Sequence, residues 1–246
     1  MSMRPVSLVV SLLLAGILPI VLFVPPTLAV EGISLNQTRV VFSSSDKAQT
    51  VAVKNSSDQS YLIQSRIQRP LDNAVVDNDL AAPFIVTPPL LPLRPGHRQL
   101  LRILSQGAAL PTDRESLFYL SVLAIPAQTE KPLAESEPAQ LSMGFRFTIK
   151  LFYRPEGLKP SPELAACQLR VSRTDNAIKI ENPTPYFQTL GRLTFNQRPV
   201  NLNATSSMLS PMSSQRYPTS TAITQVEWQT ITDYGGFSAQ CQQMLP

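Results

Sequence analysis

Between residues 141 and 151 apolar and polar side chains alternate without a break, with Leu141, Met143, Phe145, Phe147, Ile149 and Leu151 on one parity and Ser142, Gly144, Arg146, Thr148 and Lys150 on the other. A period of two is the repeat of a strand and clashes with the 3.6-residue repeat of a helix, so this stretch reads as one strand with a greasy face, roughly 35 Å long if fully extended. Shorter runs of the same kind precede it. They comprise Ile33 with Leu35, Val40 with Phe42, then 50–53, 61–67, 84–87, 99–104 and 116–124, separated by Asn, Asp, Ser and Pro. Such spacing predicts antiparallel strands in a sandwich, and no window carries a persuasive amphipathic helix. Pro155 and Gly157 end the long strand and a second strand-rich region begins near Leu164. The division expected is therefore 30–155 and 156–246, with a solvated loop at 127–140.

The long strand admits two readings. Its apolar row either packs wholly inside its own domain, or part of it lies on an edge and is offered to another protein's incomplete sheet. A long apolar edge is a hazard that sequences normally suppress, so keeping one implies a partner that covers it.

Composition narrows the class. Of 246 residues 43% are hydrophobic and only 15% charged, which suits packed cores rather than a disordered tail. The net charge of +4 is spread without a basic run, so nucleic acid is not an expected partner. Arg4 precedes an apolar stretch over 6–24 that ends in Pro25, Pro26, Thr27, Leu28 and Ala29. This is the pattern of a secretory signal, 1–29, cut after Ala29, with an uncleaved anchor as the alternative. In an oxidising compartment Cys167 and Cys241 should pair, a closure worth about 4 kcal/mol in the chain-entropy model; a metal or redox pair is the other reading, with no His or further Cys beside them to support it. A single histidine, His97, sits in a turn-like segment, no G-x-S-x-G occurs, and phosphate-binding Gly-rich loops are missing. Hence no enzyme, cofactor, metal or small-molecule substrate is expected.

Seven motifs occur in an order that resembles one family. They are ISLNQTRVVF (33–42), Thr87-Pro88-Pro89, RESLFYLSVLAIP (114–126), IKLFYRP (149–155), NPTPY (182–186), MLSP (208–211) and DYGG (233–236). Together they resemble the periplasmic chaperones of the chaperone-usher pilus pathway, the PapD-like family, over 32–236. The resemblance implies two immunoglobulin-like sandwiches set as a boomerang around an interdomain cleft. It implies that Arg39 and Lys150 grip the C-terminal carboxylate of a pilus or fimbrial subunit. Leu141, Met143 and Phe145, continued by Phe147, would be lent to that subunit as a donor strand, while Ile149 and Leu151 stay in the chaperone's own packing. Glu115, Arg154 and Asp233 fall where the family bridges its two domains, and as exposed charges they would fix geometry more than they add stability. A cis peptide in the Thr87-Pro88-Pro89 triplet, a Cys167–Cys241 link shared by some members, and the short-loop type that serves rod-like fimbriae are also implied. The implied setting is the periplasm, with an outer-membrane usher as second partner; self-association of the free chaperone through its exposed strand is left open by the sequence. The rival reading is a secreted adhesin or surface Ig-like binding module.

Overall fold

A computed structural model describes residues 32–70, 83–107, 109–127 and 143–246. The leader at 1–29, Leu141 and the loop beyond Ala127 lie outside the described residues.

The first sandwich contains β1 (Ile33–Leu35), β2 (Arg39–Ser43), β3 (Gln49–Asn55), β4 (Tyr61–Gln68), β5 (Phe84–Thr87), β6 (Leu90–Leu93), β7 (Arg98–Ser105), β8 (Ser116–Pro126) and β9 (Phe145–Arg154). One sheet has the order β1-β3-β7-β5 and the other β2-β9-β8-β4-β6. Period-two patterning sets which side faces in: along β4, Tyr61, Ile63 and Ser65 are buried while Leu62, Gln64 and Arg66 are exposed. Val51, Val53, Ile63, Leu101, Ile103, Leu120 and Val122 meet between the sheets with no exposed surface. Phe84 stands edge-on to Phe42 and Phe118, with ring centroids 5.0 and 5.2 Å away. The patterning did not predict β6, because Pro92 interrupts its run; β6 is an edge strand, where a missing N–H is tolerated. Thr87–Pro88 is cis.

The pairing of β9 positions everything that follows. β8 runs antiparallel along residues 145–153 of β9, whereas β2 is parallel to it over 150–154 alone. On its outer edge, residues 145–149 pair with no described strand.

The second sandwich opens with α1 (Pro162–Ala165), the one helix among the described residues. It continues with β10 (Arg170–Thr174), β11 (Ala177–Asn182), β12 (Gln188–Phe195), β13 (Arg198–Pro199), β14 (Met208–Leu209), β15 (Ser213–Pro218), β16 (Gln225–Thr230) and β17 (Cys241–Met244). The sheets are β10-β11-β15 and β13-β12-β16-β17, with β14 on β12. Ile178, Ile180, Tyr217, Val226 and Trp228 fill the core, and the Trp228 indole N–H donates to the Ala166 carbonyl at 2.9 Å. Cys167 and Cys241 form a disulfide across a Cα separation of 5.3 Å, tying the segment before β10 to the last strand.

Both sandwiches reuse one buried turn. Asn55 Nδ2 donates to the Gln59 carbonyl and Asn55 Oδ1 accepts from the Ser57 N–H; Asn182 does the same with Tyr186 and Thr184. An asparagine with no exposed surface in this role satisfies loop backbone that water cannot reach.

Candidate functional site

Three successive outward positions of β9, Lys150, Phe152 and Arg154, face the second sandwich. Arg39 stands opposite Lys150 in the parallel ladder, so the two side chains leave the same face of the sheet as neighbours. The Arg39 guanidinium donates through Nη1 to the Ile231 carbonyl at 3.0 Å and lies 5.9 Å from the centre of the Phe152 ring. Its Nε is the one buried side-chain nitrogen or oxygen among the described residues without a hydrogen-bond partner. Lys150 Nζ donates to Thr189 Oγ1 at 3.3 Å and borders an open depression of about 510 Å³ formed with Tyr119 and the 202–208 loop.

Among the described residues no carboxylate forms an ion pair with either cation. Burial lowers the Arg39 pKa, against the opposing pull of Asp233 and Glu115. Burial also pushes Lys150 down to about 8, and the charge of Arg39 acts in the same direction. Two partly desolvated positive groups thus stand side by side, and a guanidinium fork and an ammonium are both chemically able to pair with carboxylate oxygens.

At the far end of the same strand, Arg154 is fully occupied by acids. Nε donates to Glu115 Oε1 at 2.7 Å, and Nη1 and Nη2 donate to the two Asp233 oxygens at 2.7 and 2.9 Å. Glu115 Oε2 accepts from the Phe187 N–H at 2.8 Å, and the Tyr186 ring lies 5.1 Å beneath the guanidinium. Burial works against the Arg154 charge, yet the Asp233 hydrogen bonds and both carboxylates outweigh it and hold the pKa above the ordinary value. Burial raises the Glu115 pKa, opposed chiefly by Arg154. The sequence expectation of exposed charges needs correction here: the Glu115 side chain is 2% exposed and Arg154 18%. Glu115 is enclosed by the Phe187 N–H and the Arg154 guanidinium, while Arg154 and Asp233 keep one side toward solvent. Gly235 in the DYGG motif has φ +85°, and a Cβ there would stand 2.7 Å from Thr38 Oγ1, so the loop that presents Asp233 lies hard against the chain entering β2.

The apolar row of β9 is graded. Leu151 has no exposed surface; Ile149 and Phe147 are partly buried against the first core; Phe145 is 52% exposed and Met143 64%. Gly144 lets the strand lie close to β8, since a Cβ would meet the Ala124 carbonyl at 3.2 Å. That close approach is to the protein's own backbone. Thr189, Ile231, Phe152 and Phe187 are site residues that sequence reasoning did not single out. Nothing in the local sequence around Thr189 or Ile231 signals them, because their roles arise from contact with residues far along the chain.

Two family models match this chain in succession: the pili and flagellar-assembly chaperone PapD N-terminal domain over residues 32–159, and the pili assembly chaperone PapD C-terminal domain over 164–242. The chain belongs to this family of pilus-assembly chaperones. Among its relatives, the probable fimbrial chaperone ElfD of Escherichia coli is 37% identical over 212 residues, 85% of each chain. The solved structure of the E. coli chaperone DraB superposes with a TM-score of 0.74 at 33% identity, over 87% of this chain and 97% of that one. The structure of the Salmonella enterica SafA pilin in complex with the SafB chaperone matches with a TM-score of 0.74 at 29% identity, over 89% of this chain and 99% of its own. Membership of a chaperone family sets the adhesin reading aside. No helix among the described residues is long and apolar enough to cross a membrane.

Proposed function

We propose that this protein acts in the periplasm, after removal of residues 1–29, and binds pilus or fimbrial subunits by lending them a strand. A subunit lacking its final strand docks its C-terminal carboxylate between Arg39 and Lys150. The subunit chain then pairs with the outer edge of β9 over 145–149, and Phe145, Phe147 and Met143, with Leu141 ahead of them, fill its apolar groove. Because side chains alternate, the fixed carboxylate sets register: a slip of one residue would present Gly144 and Arg146 instead. The completed subunit is handed to an outer-membrane usher, where a neighbouring subunit's extension replaces the lent strand. No covalent bond changes, so the activity is binding and not catalysis. The Glu115–Arg154–Asp233 bridge and the domain division at residue 155 keep the cation pair and the second sandwich in fixed relation.

The observation that carries this reading is that the stretch of β9 edge paired with no described strand ends where Arg39 and Lys150 stand side by side. Its test is co-purification of a pilus subunit with wild type and with Lys150→Ala and Arg39→Ala. Truncating one partner of such a desolvated charge contact costs roughly 2–5 kcal/mol, enough to abolish recovery of the complex. Undiminished recovery contradicts the anchoring role.

A further inference from the structure

The outward face of sheet β1-β3-β7-β5 lies on the other layer of the first sandwich from Arg39 and Lys150. Its register places Lys54 directly opposite Arg98, Ala52 opposite Leu100, and Thr50 and Thr87 on either side of Arg102; Leu104 stands opposite Ile85. Rows of cations thus alternate with apolar rows across the sheet. Lys54, Arg98 and Arg102 are exposed, and so are Leu100 at 51% and Ile85 at 44%. Among the described residues no acidic side chain shares this face; Asp46 and Asp58 sit in the turns before and after β3.

Like charges directly opposite on adjacent strands destabilise a sheet, and here Lys54 and Arg98 form such a pair with no carboxylate between them. Exposed Leu and Ile flanking them add a second unfavourable element. One partner relieves both: a surface that offers negative phosphates at its outer plane and hydrocarbon just beneath. We propose that this face docks the protein reversibly on anionic phospholipid bilayers, with Lys54, Arg98 and Arg102 at the headgroup phosphates and Leu100, Leu104 and Ile85 dipping below them. A sheet face with mixed rows suits a bilayer, which needs no shape-matched pocket. The inference is independent of the strand-lending reading, since it uses the opposite layer of the sandwich.

The test is co-sedimentation of the protein recovered after export with vesicles of phosphatidylcholine containing about one-third phosphatidylglycerol, against phosphatidylcholine alone. Binding to the anionic vesicles is expected to be at least about tenfold tighter, and to vanish in about 0.5 M NaCl, where charges are screened within a few ångströms. Lys54→Gln/Arg98→Gln/Arg102→Gln together should lower it about tenfold or more with an unchanged melting temperature, and Leu100→Ser about threefold. Lys150→Ala, which disables the subunit site, should leave vesicle binding as in wild type. Equal binding to both vesicle types, or full binding by the triple variant, overturns the proposal. Tighter binding to polyglutamate than to anionic vesicles also overturns it and assigns the face to an acidic protein. Should the triple variant fail to fold, amide exchange of unaltered protein on the vesicles decides: protection confined to β3, β5 and β7 supports the proposal, and protection elsewhere refutes it.

Discussion

The two halves of β9 share one sheet, one neighbour in β8 and one alternating pattern, but differ in what lies on the other edge. Over residues 150–154 the parallel strand β2 satisfies the backbone, Leu151 is sealed in the core, and Lys150, Phe152 and Arg154 meet the second sandwich. Over 145–149 that edge pairs with no described strand and the apolar row emerges into solvent. Apolar residues of one row therefore do different work: Leu151 is sealed in this protein's core, whereas Phe145 leaves surface exposed. The boundary between the halves is the position of Arg39, the first residue of β2.

The largest expected effect lies in the covered half. Arg154→Ala strands the buried Glu115 carboxylate, and losing one partner of such a pair costs roughly 3–5 kcal/mol, a fall of about 10 °C in melting temperature by calorimetry. An unchanged melting point would show that the bridge is solvated and the contrast overstated. Leu151→Ala should cost about 2–5 kcal/mol in urea denaturation, while Phe145→Ala, on the same face, should cost less than about 0.5 kcal/mol. In subunit binding the order reverses: Phe145→Ala should weaken the complex by about 1–2 kcal/mol in titration calorimetry, through lost apolar burial. If both substitutions destabilised the free protein alike, the open half would belong to the core.

A smaller effect comes from pH. Burial, aided by Arg39, pushes Lys150 down to about 8 from its ordinary 10.5, so the folded chain releases this proton before the unfolded chain does. Its contribution to stability is therefore least favourable below pH 8 and is recovered as pH rises from about 8 towards 10.5. Subunit binding needs the ammonium and runs the other way. Affinity should be level below pH 8 and fall above it by up to about tenfold per unit, while Lys150→Arg, always charged, should keep a flat profile. A fall shared equally by both proteins would locate the titration elsewhere.

How far the sequence reveals this depends on range. The alternation over 141–151 identifies the strand and its greasy face from local pattern alone, and an antiparallel sandwich follows from many such runs, whereas the immunoglobulin-like class comes only through the family resemblance. It does not reveal where the face stops being core, because Phe145 and Leu151 read alike; that is decided by the length of β2, about a hundred residues upstream. Arg39 and Lys150 look like solvated strand charges until the motifs around them are compared with a family. Thr189 and Ile231 are set by packing between the sandwiches and carry no local signal. Lys54 and Arg98 likewise become a pair only through register.

The most direct measurement is amide hydrogen exchange along β9, alone and with a bound pilus subunit. Outward-facing amides of residues 145–149 should exchange rapidly in the free protein and become protected in the complex, while those of 150–154 stay protected throughout. Equal protection of both halves before binding, or an open half unchanged by it, would contradict the account.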